Sequence, residues 1–142
     1  MGLDLKPIEV STALRIAKEY YMKNTYDHVI RVMGYVAENE TIPYEYREEC
    51  LALAIMHDLM EDTDYKPFGL PENFVKALRL LTKPEDMDYI AYIKQIKNTG
   101  YTNYGWCAWW VKLADMKDHL AQKETLTEKL KDKYLAALPE LL

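Results

Sequence analysis

Little in this sequence would take it outside an ordinary folded domain. No apolar run is long enough to cross a bilayer: the longest, Leu51 to Met56, falls far short of the roughly 20 residues a span requires. The first residues, MGLDLKPIEV, hold no basic stretch followed by an apolar one, so no secretory signal is expected. Met1-Gly2 lacks the Ser or Thr at position six that a myristoylation signal needs. A cytoplasmic location without a membrane partner is the matching expectation. Cysteine is scarce. Cys50 and Cys107 lie in different segments without metal-ligand spacing and read as two buried thiols in a reducing compartment. Basic residues are outnumbered, 18 against 23 acidic, and the net charge of −5 argues against a nucleic-acid polymer as partner. An anionic substrate would then need a metal and a few local cations to offset that background. Linkers, repeats and low-complexity tracts are missing as well.

What is present is helical periodicity from end to end. The chain, 1–142, has the size of a single domain with its own core. Val10, Ala13, Leu14, Ala17 and Tyr21 share one helical face. Thr25 is placed to cap a second helix carrying His28, Ile30, Met33 and Ala37. A third is expected from Tyr44 to Glu61, after Ile42-Pro43. Gly69-Leu70-Pro71 opens a fourth, with Phe74, Val75, Leu78 and Leu81 as its stripe. A fifth covers Asp88 to Lys97, with Tyr89, Ile93 and Ile96 inward. The segment NTGYTNYG breaks the chain before a sixth, near Trp106 to Leu120. Thr125 and Glu128 form a capping-box pattern opening the last helix, which ends near Pro139. No segment alternates as a strand does. The expected fold is all-α, a compact single-domain bundle of about seven helices.

Chemistry concentrates at two helix ends. Leu51-Ala52-Leu53-Ala54-Ile55-Met56 has no polar face, so that stretch is buried on all sides, and it runs straight into His57-Asp58 and then Glu61-Asp62. Charge at the end of a buried helix is costly unless paired or metal-bound. Asp58, Glu61 and Asp62 fall on neighbouring helical positions, and three crowded carboxylates repel one another unless a divalent cation joins them. The sixth helix repeats the design: Ala108-Trp109-Trp110-Val111, Lys112, Leu113-Ala114, then Asp115. Taken singly, Asp115 reads as a buried cap or ion-pair partner, and His28 as a core or surface histidine. Taken together, His28, His57, Asp58 and Asp115 make a mixed nitrogen–oxygen donor set suited to manganese, iron, cobalt or zinc.

His28, then HD at 57–58, then Asp115 in VKLADMKDHL is similar to the H…HD…D signature of the HD-domain phosphohydrolases. The fuller string HDLMEDT resembles the subgroup containing the Rel/SpoT hydrolase domains and the small stand-alone alarmone hydrolases. GLPENFVKALRLLTK, DYIAYIKQIK and VKLAD look like corresponding segments of small HD proteins, so the resemblance covers most of the chain. It implies that His28, His57, Asp58 and Asp115 bind one divalent metal, typically Mn2+, with Fe2+, Co2+ or Zn2+ as alternatives. It implies that Glu61 and Asp62 position or deprotonate the attacking water and pass a proton to the leaving group. It implies hydrolysis of a phosphoester or pyrophosphate bond in a nucleotide, first the 3′-pyrophosphate of ppGpp-like alarmones. Relatives with two or more metals need further histidines, and only three are available here, which favours one ion.

Two departures touch guanosine recognition and not the metal residues. The longer basic stretch that precedes the first histidine in alarmone hydrolases is shortened to Tyr20-Tyr21-Met22-Lys23-Asn24, and His119 stands where the usual Asn follows the last Asp by four residues. Arg31, Lys23 and Lys112 are candidates for neutralising substrate phosphates, against a plain role as surface charge. His119, one turn from Asp115, is placed to serve as a further ligand, or more readily to face substrate or support the metal residues, or to lie on the surface. Tyr101, Tyr104, Trp106, Trp109 and Trp110 read as core or as an interface between copies in a homo-oligomer, with base stacking the less common use of such aromatics. The segment from Asp62 to Leu70 is either a lid or a connecting loop. Rival readings are a phosphohydrolase for another nucleotide or small phosphoester, and a non-catalytic metal- and nucleotide-binding sensor.

Overall fold

The computed structural model describes residues 8–142. The expectations for the N-terminal segment, that it carries neither a secretory nor a myristoylation signal, fall mainly on residues 1–7 and lie outside the described residues. Among the described residues there is no strand, and the secondary structure is eight helical segments. These are α1 (Val10–Tyr20), α2 (Lys23–Glu38), α3 (Tyr44–Met56), α4 (Leu59–Asp62, a single turn), α5 (Glu72–Leu80), α6 (Tyr89–Asn98), α7 (Asn103–Ala121) and α8 (Glu128–Leu141). No helix among them is long and apolar enough to cross a membrane.

α3 and α7, which carry the long apolar stretches, are the central helices. α3 buries Cys50 and all of Ala52 to Met56, and packs against α1, α2 and α7. α7 buries ten residues and touches α2, α3, α5, α6 and α8. The remaining helices are amphipathic and turn one stripe inward, as Phe74, Ala77 and Leu78 do in α5. On α2 the buried stripe is His28, Val29, Val32 and Val36; Ile30 and Met33 are half-buried and Ala37 is exposed.

The helix boundaries depart from the sequence pattern where side chains compete for backbone groups. The third helix does not run on to Glu61. The Tyr21 hydroxyl donates to the Ile55 carbonyl at 2.8 Å and accepts from the Asp58 amide at 3.2 Å, while His57 Nδ1 faces the Ala54 carbonyl at 2.6 Å. Two carbonyls and one amide that would have continued the helix are satisfied sideways, so it stops at Met56 and restarts as α4. Thr25 lies inside α2, whose N-cap is Met22 without a side-chain bond. The last helix is capped by Thr127, which accepts from the Leu130 amide, and not by Thr125; it passes through Pro139 to Leu141. The break before α7 is only Thr99 to Thr102, because Thr102 caps the helix by accepting from the Gly105 amide. A side chain at Gly105 would collide with the Thr99 carbonyl, which explains the glycine.

Candidate metal centre

Three stretches of chain deliver the four residues. α2 brings His28, the interruption between α3 and α4 brings His57 and Asp58, and α7 brings Asp115. One donor atom from each of the four lies within 4.8 Å of the others. His28 Nε2 is 2.8 Å from Asp115 Oδ1 and 3.5 Å from Asp58 Oδ2. His57 Nε2 is 3.1 Å from Asp115 Oδ1 and 3.4 Å from Asp58 Oδ2. Both histidines and Asp115 are buried; Asp58 is partly open.

The outer sides of these groups are held as firmly as the inner ones. His57 Nδ1 is directed at the Ala54 carbonyl and His28 Nδ1 at Asp118 Oδ2, 2.7 Å away. Asp118, wholly buried, is gripped in turn by Arg31 through Nε at 2.8 Å and Nη2 at 3.0 Å. Lys112 Nζ lies 2.8 Å from Asp115 Oδ2, which leaves Oδ1 to face the imidazoles. His119 Nε2 also approaches Asp115 Oδ1, at 3.3 Å, with its ring stacked on Tyr134 at 4.9 Å.

Charge in the cluster follows from these contacts. Burial favours neutral groups throughout, and pairing overrides it at Asp115, Lys112 and His57. It would lift the Asp115 carboxyl, yet Lys112 and the three histidines hold it well below the ordinary carboxylate range. It would discharge Lys112, yet Asp115 keeps the ammonium protonated well above its usual range. The imidazole of His57 is likewise disfavoured as a cation by burial, but Asp58 and Asp115 raise it to about 9. Glu61 and Asp62 both move upward, chiefly because the charged carboxylate is partly desolvated.

The donor set fits a small divalent cation. Donors bound at about 2.1 Å are separated by roughly 3.0 to 3.4 Å in octahedral or tetrahedral arrangements, and the four cross-distances above straddle that range. The tautomers agree too: with each Nδ1 donating outward, a neutral ring turns its Nε2 lone pair inward toward carboxylate oxygens, an arrangement a cation makes attractive.

The other sequence candidates are distributed unevenly. Glu61 lies at a cavity of about 140 Å³ that Asp58, Lys112, Asp115 and His119 also line. Its Oε1 accepts from the Lys83 amide. Asp62 is close enough to feel Asp58, His57 and His28. Arg31 is occupied by Asp118 behind His28. Lys23 pairs with Asp27 at 2.8 Å, in a depression formed with Lys18, Tyr21 and Tyr26 and separate from that cavity. Trp106 stacks on Trp110 at 4.4 Å, and neither lines the cavity. In the segment from Asp62 to Leu70, Tyr65 is buried and meets Tyr20 edge-on. Asp118 and Tyr21 were not anticipated. Asp118 had a local signal, being three residues beyond Asp115 on the same helix; Tyr21 had none, since its role depends on a helix 34 residues away.

Compared with known proteins, the chain matches no family model and no curated protein.

Proposed function

We propose that this chain is a metal-dependent phosphohydrolase that cleaves a phosphoester or pyrophosphate bond of a nucleotide or another small phosphoester. The sequence resemblance points first to the 3′-pyrophosphate of a ppGpp-like alarmone. The observation that carries the reading is the convergence of His28, His57, Asp58 and Asp115 within 4.8 Å, with the outer nitrogens of both imidazoles already engaged. A single divalent ion, Mn2+ or one of its neighbours, suits that set. When bound, it supplies Lewis acidity toward a phosphoryl oxygen and a water molecule.

The protein's own groups divide the remaining work. Asp118 and the Ala54 carbonyl orient the imidazoles, and Lys112 holds Asp115 by one oxygen. Glu61 has Oε1 fixed by the Lys83 amide, leaving Oε2 for a proton. Desolvation raises both Glu61 and Asp62 from the ordinary carboxyl range toward neutrality, the direction that suits a group giving and taking protons. A hydrolysis screen over nucleotides and small phosphoesters with added Mn2+ tests the reading. Phosphate or pyrophosphate release that disappears with chelator is the expected result. A fully metal-loaded protein that hydrolyses no member of the set would overturn it.

A further inference from the structure

The cavity beside the metal cluster carries two groups that the four ligands and two acids do not use, Lys133 and the Tyr89 hydroxyl. Beside them are Lys112, which is paired with Asp115, and Lys83, whose amide serves Glu61 and whose ammonium donates to the Pro84 and Met87 carbonyls. Lys83, Lys112 and Lys133 line the cavity, together with Tyr89, Tyr134 and His119. Lys133 Nζ sits over the rings of Tyr89 and Tyr134, at 4.3 and 5.4 Å from their centroids. Burial and the neighbouring Lys112 and Lys83 all push its pKa down, a sign that positive charge converges here. Tyr89 supplies an independent sign. Its hydroxyl is the buried side-chain polar atom left without a hydrogen-bond partner among the described residues, and such a group costs free energy unless something binds to it.

We propose that this cavity is a phosphoryl-binding subsite built for one phosphate group, and that the chain recognises its substrate as a phosphate monoester with little contact to a nucleoside. The inference rests on the phosphohydrolase reading above and narrows its substrate. Charge is the first argument. Three lysines of the lining balance the three carboxylates Asp58, Glu61 and Asp115. A divalent cation then leaves two positive charges, which a phosphate dianion neutralises. Volume is the second. At about 140 Å³ the cavity holds about five waters at ~30 Å³ each, comparable to the five heavy atoms of phosphate. Pockets that enclose a whole drug-sized ligand begin at roughly 300 Å³. Stacking is the third. Among the described residues each ring of the lining is already engaged: Tyr134 is stacked on His119, Lys133 sits over Tyr89, Lys112 sits over the buried Tyr92, and the tryptophans lie elsewhere, which disfavours a stacked purine.

In the reaction, water forms a new P–O bond as the ester P–O bond breaks. One water proton leaves with the departing alcohol, and inorganic phosphate remains in the cavity. Phosphate is therefore the probe. Calorimetric titration of the protein with Mn2+ present is expected to show phosphate binding, with guanosine 5′-monophosphate no more than a few-fold tighter. Lys133→Ala, an exposed position on α8, should weaken both by at least about tenfold. Tyr89→Phe should weaken phosphate binding without lowering the melting temperature, because the lost hydroxyl had no partner to abandon. Lys94→Ala, remote on α6, should change nothing. The proposal is overturned if phosphate does not bind, if Lys133→Ala and Tyr89→Phe both bind like wild type, or if the nucleotide binds a hundredfold tighter than phosphate. Lysine-dependent phosphate binding without turnover of any ester would remove the hydrolase reading and leave the subsite standing.

Discussion

His57 Nδ1 lies 2.6 Å from the carbonyl oxygen of Ala54, three residues earlier in the chain. That contact ends a helix and fixes a tautomer at once. The carbonyl accepts a hydrogen bond from the ring N–H, so the opposite nitrogen, facing Asp58 and Asp115, is the one that titrates.

A pH dependence follows for the metal-free protein. Burial works against the charged His57 ring, but Asp58 and Asp115 outweigh it and carry its pKa from 6.5 to about 9. A raised pKa stabilises the fold fully below the unfolded value, and the contribution is lost as pH rises through the folded one. Metal-free protein should therefore lose on the order of 3 kcal/mol between about pH 6.5 and pH 9. Metal binding needs the neutral ring, so affinity for Mn2+ should rise over the same window. Thermal melts with and without chelator, taken across that range, check both trends; a flat metal-free profile would refute the assignment.

Removing Asp115 should cost more than a ligand. Its Oδ2 neutralises Lys112, which is buried. Breaking a buried pair typically costs about 3–5 kcal/mol because one charge is stranded. Asp115→Ala is expected to lose metal and to unfold at lower urea. Adding Lys112→Met should restore much of the stability and none of the metal. Elemental analysis and urea titration separate the two effects, and metal retained by Asp115→Ala would mean that the other donors suffice.

Glu61 and Asp62 lie outside the four-donor group. Glu61→Gln and Asp62→Asn keep shape and remove proton transfer. Metal content should stay near wild type while turnover falls by about a hundredfold or more, the usual share of a general acid or base. A non-catalytic sensor would instead show no turnover to lose and nucleotide affinity unchanged or raised. Wild-type turnover in both variants would rule out the acid–base role.

Tyr21→Phe tests the splice between α3 and α4. The hydroxyl serves the Ile55 carbonyl and the Asp58 amide together. Its loss should destabilise the fold by about 1–3 kcal/mol and, by freeing Asp58 to shift, weaken Mn2+ binding by roughly tenfold to a hundredfold. Denaturation and metal titration would be compared on the same preparation. Unchanged metal affinity would show that Asp58 needs no such anchor.

Sequence alone determined the all-α class, since apolar residues recur at helical spacing and never alternate. It also determined that the stretch of α3 from Leu51 to Met56 is buried on all sides, because a stretch with no polar face has to be surrounded. From that, the His57-Asp58 pair and Asp115, each following an apolar stretch, stood out as groups that burial would force into partnership. What only the tertiary structure decided is who the partners are. Periodicity records which face of a helix is buried but not which helix crosses it or at what height. Asp118 behind His28, Tyr21 at the end of α3, and Lys83, Lys133 and Tyr89 around the cavity depend on those crossings. The same limit explains the misplaced ends. Thr25 and Thr125 are capable caps, but a cap forms where the chain must turn, and the turns are set by how α1, α2, α7 and α8 pack.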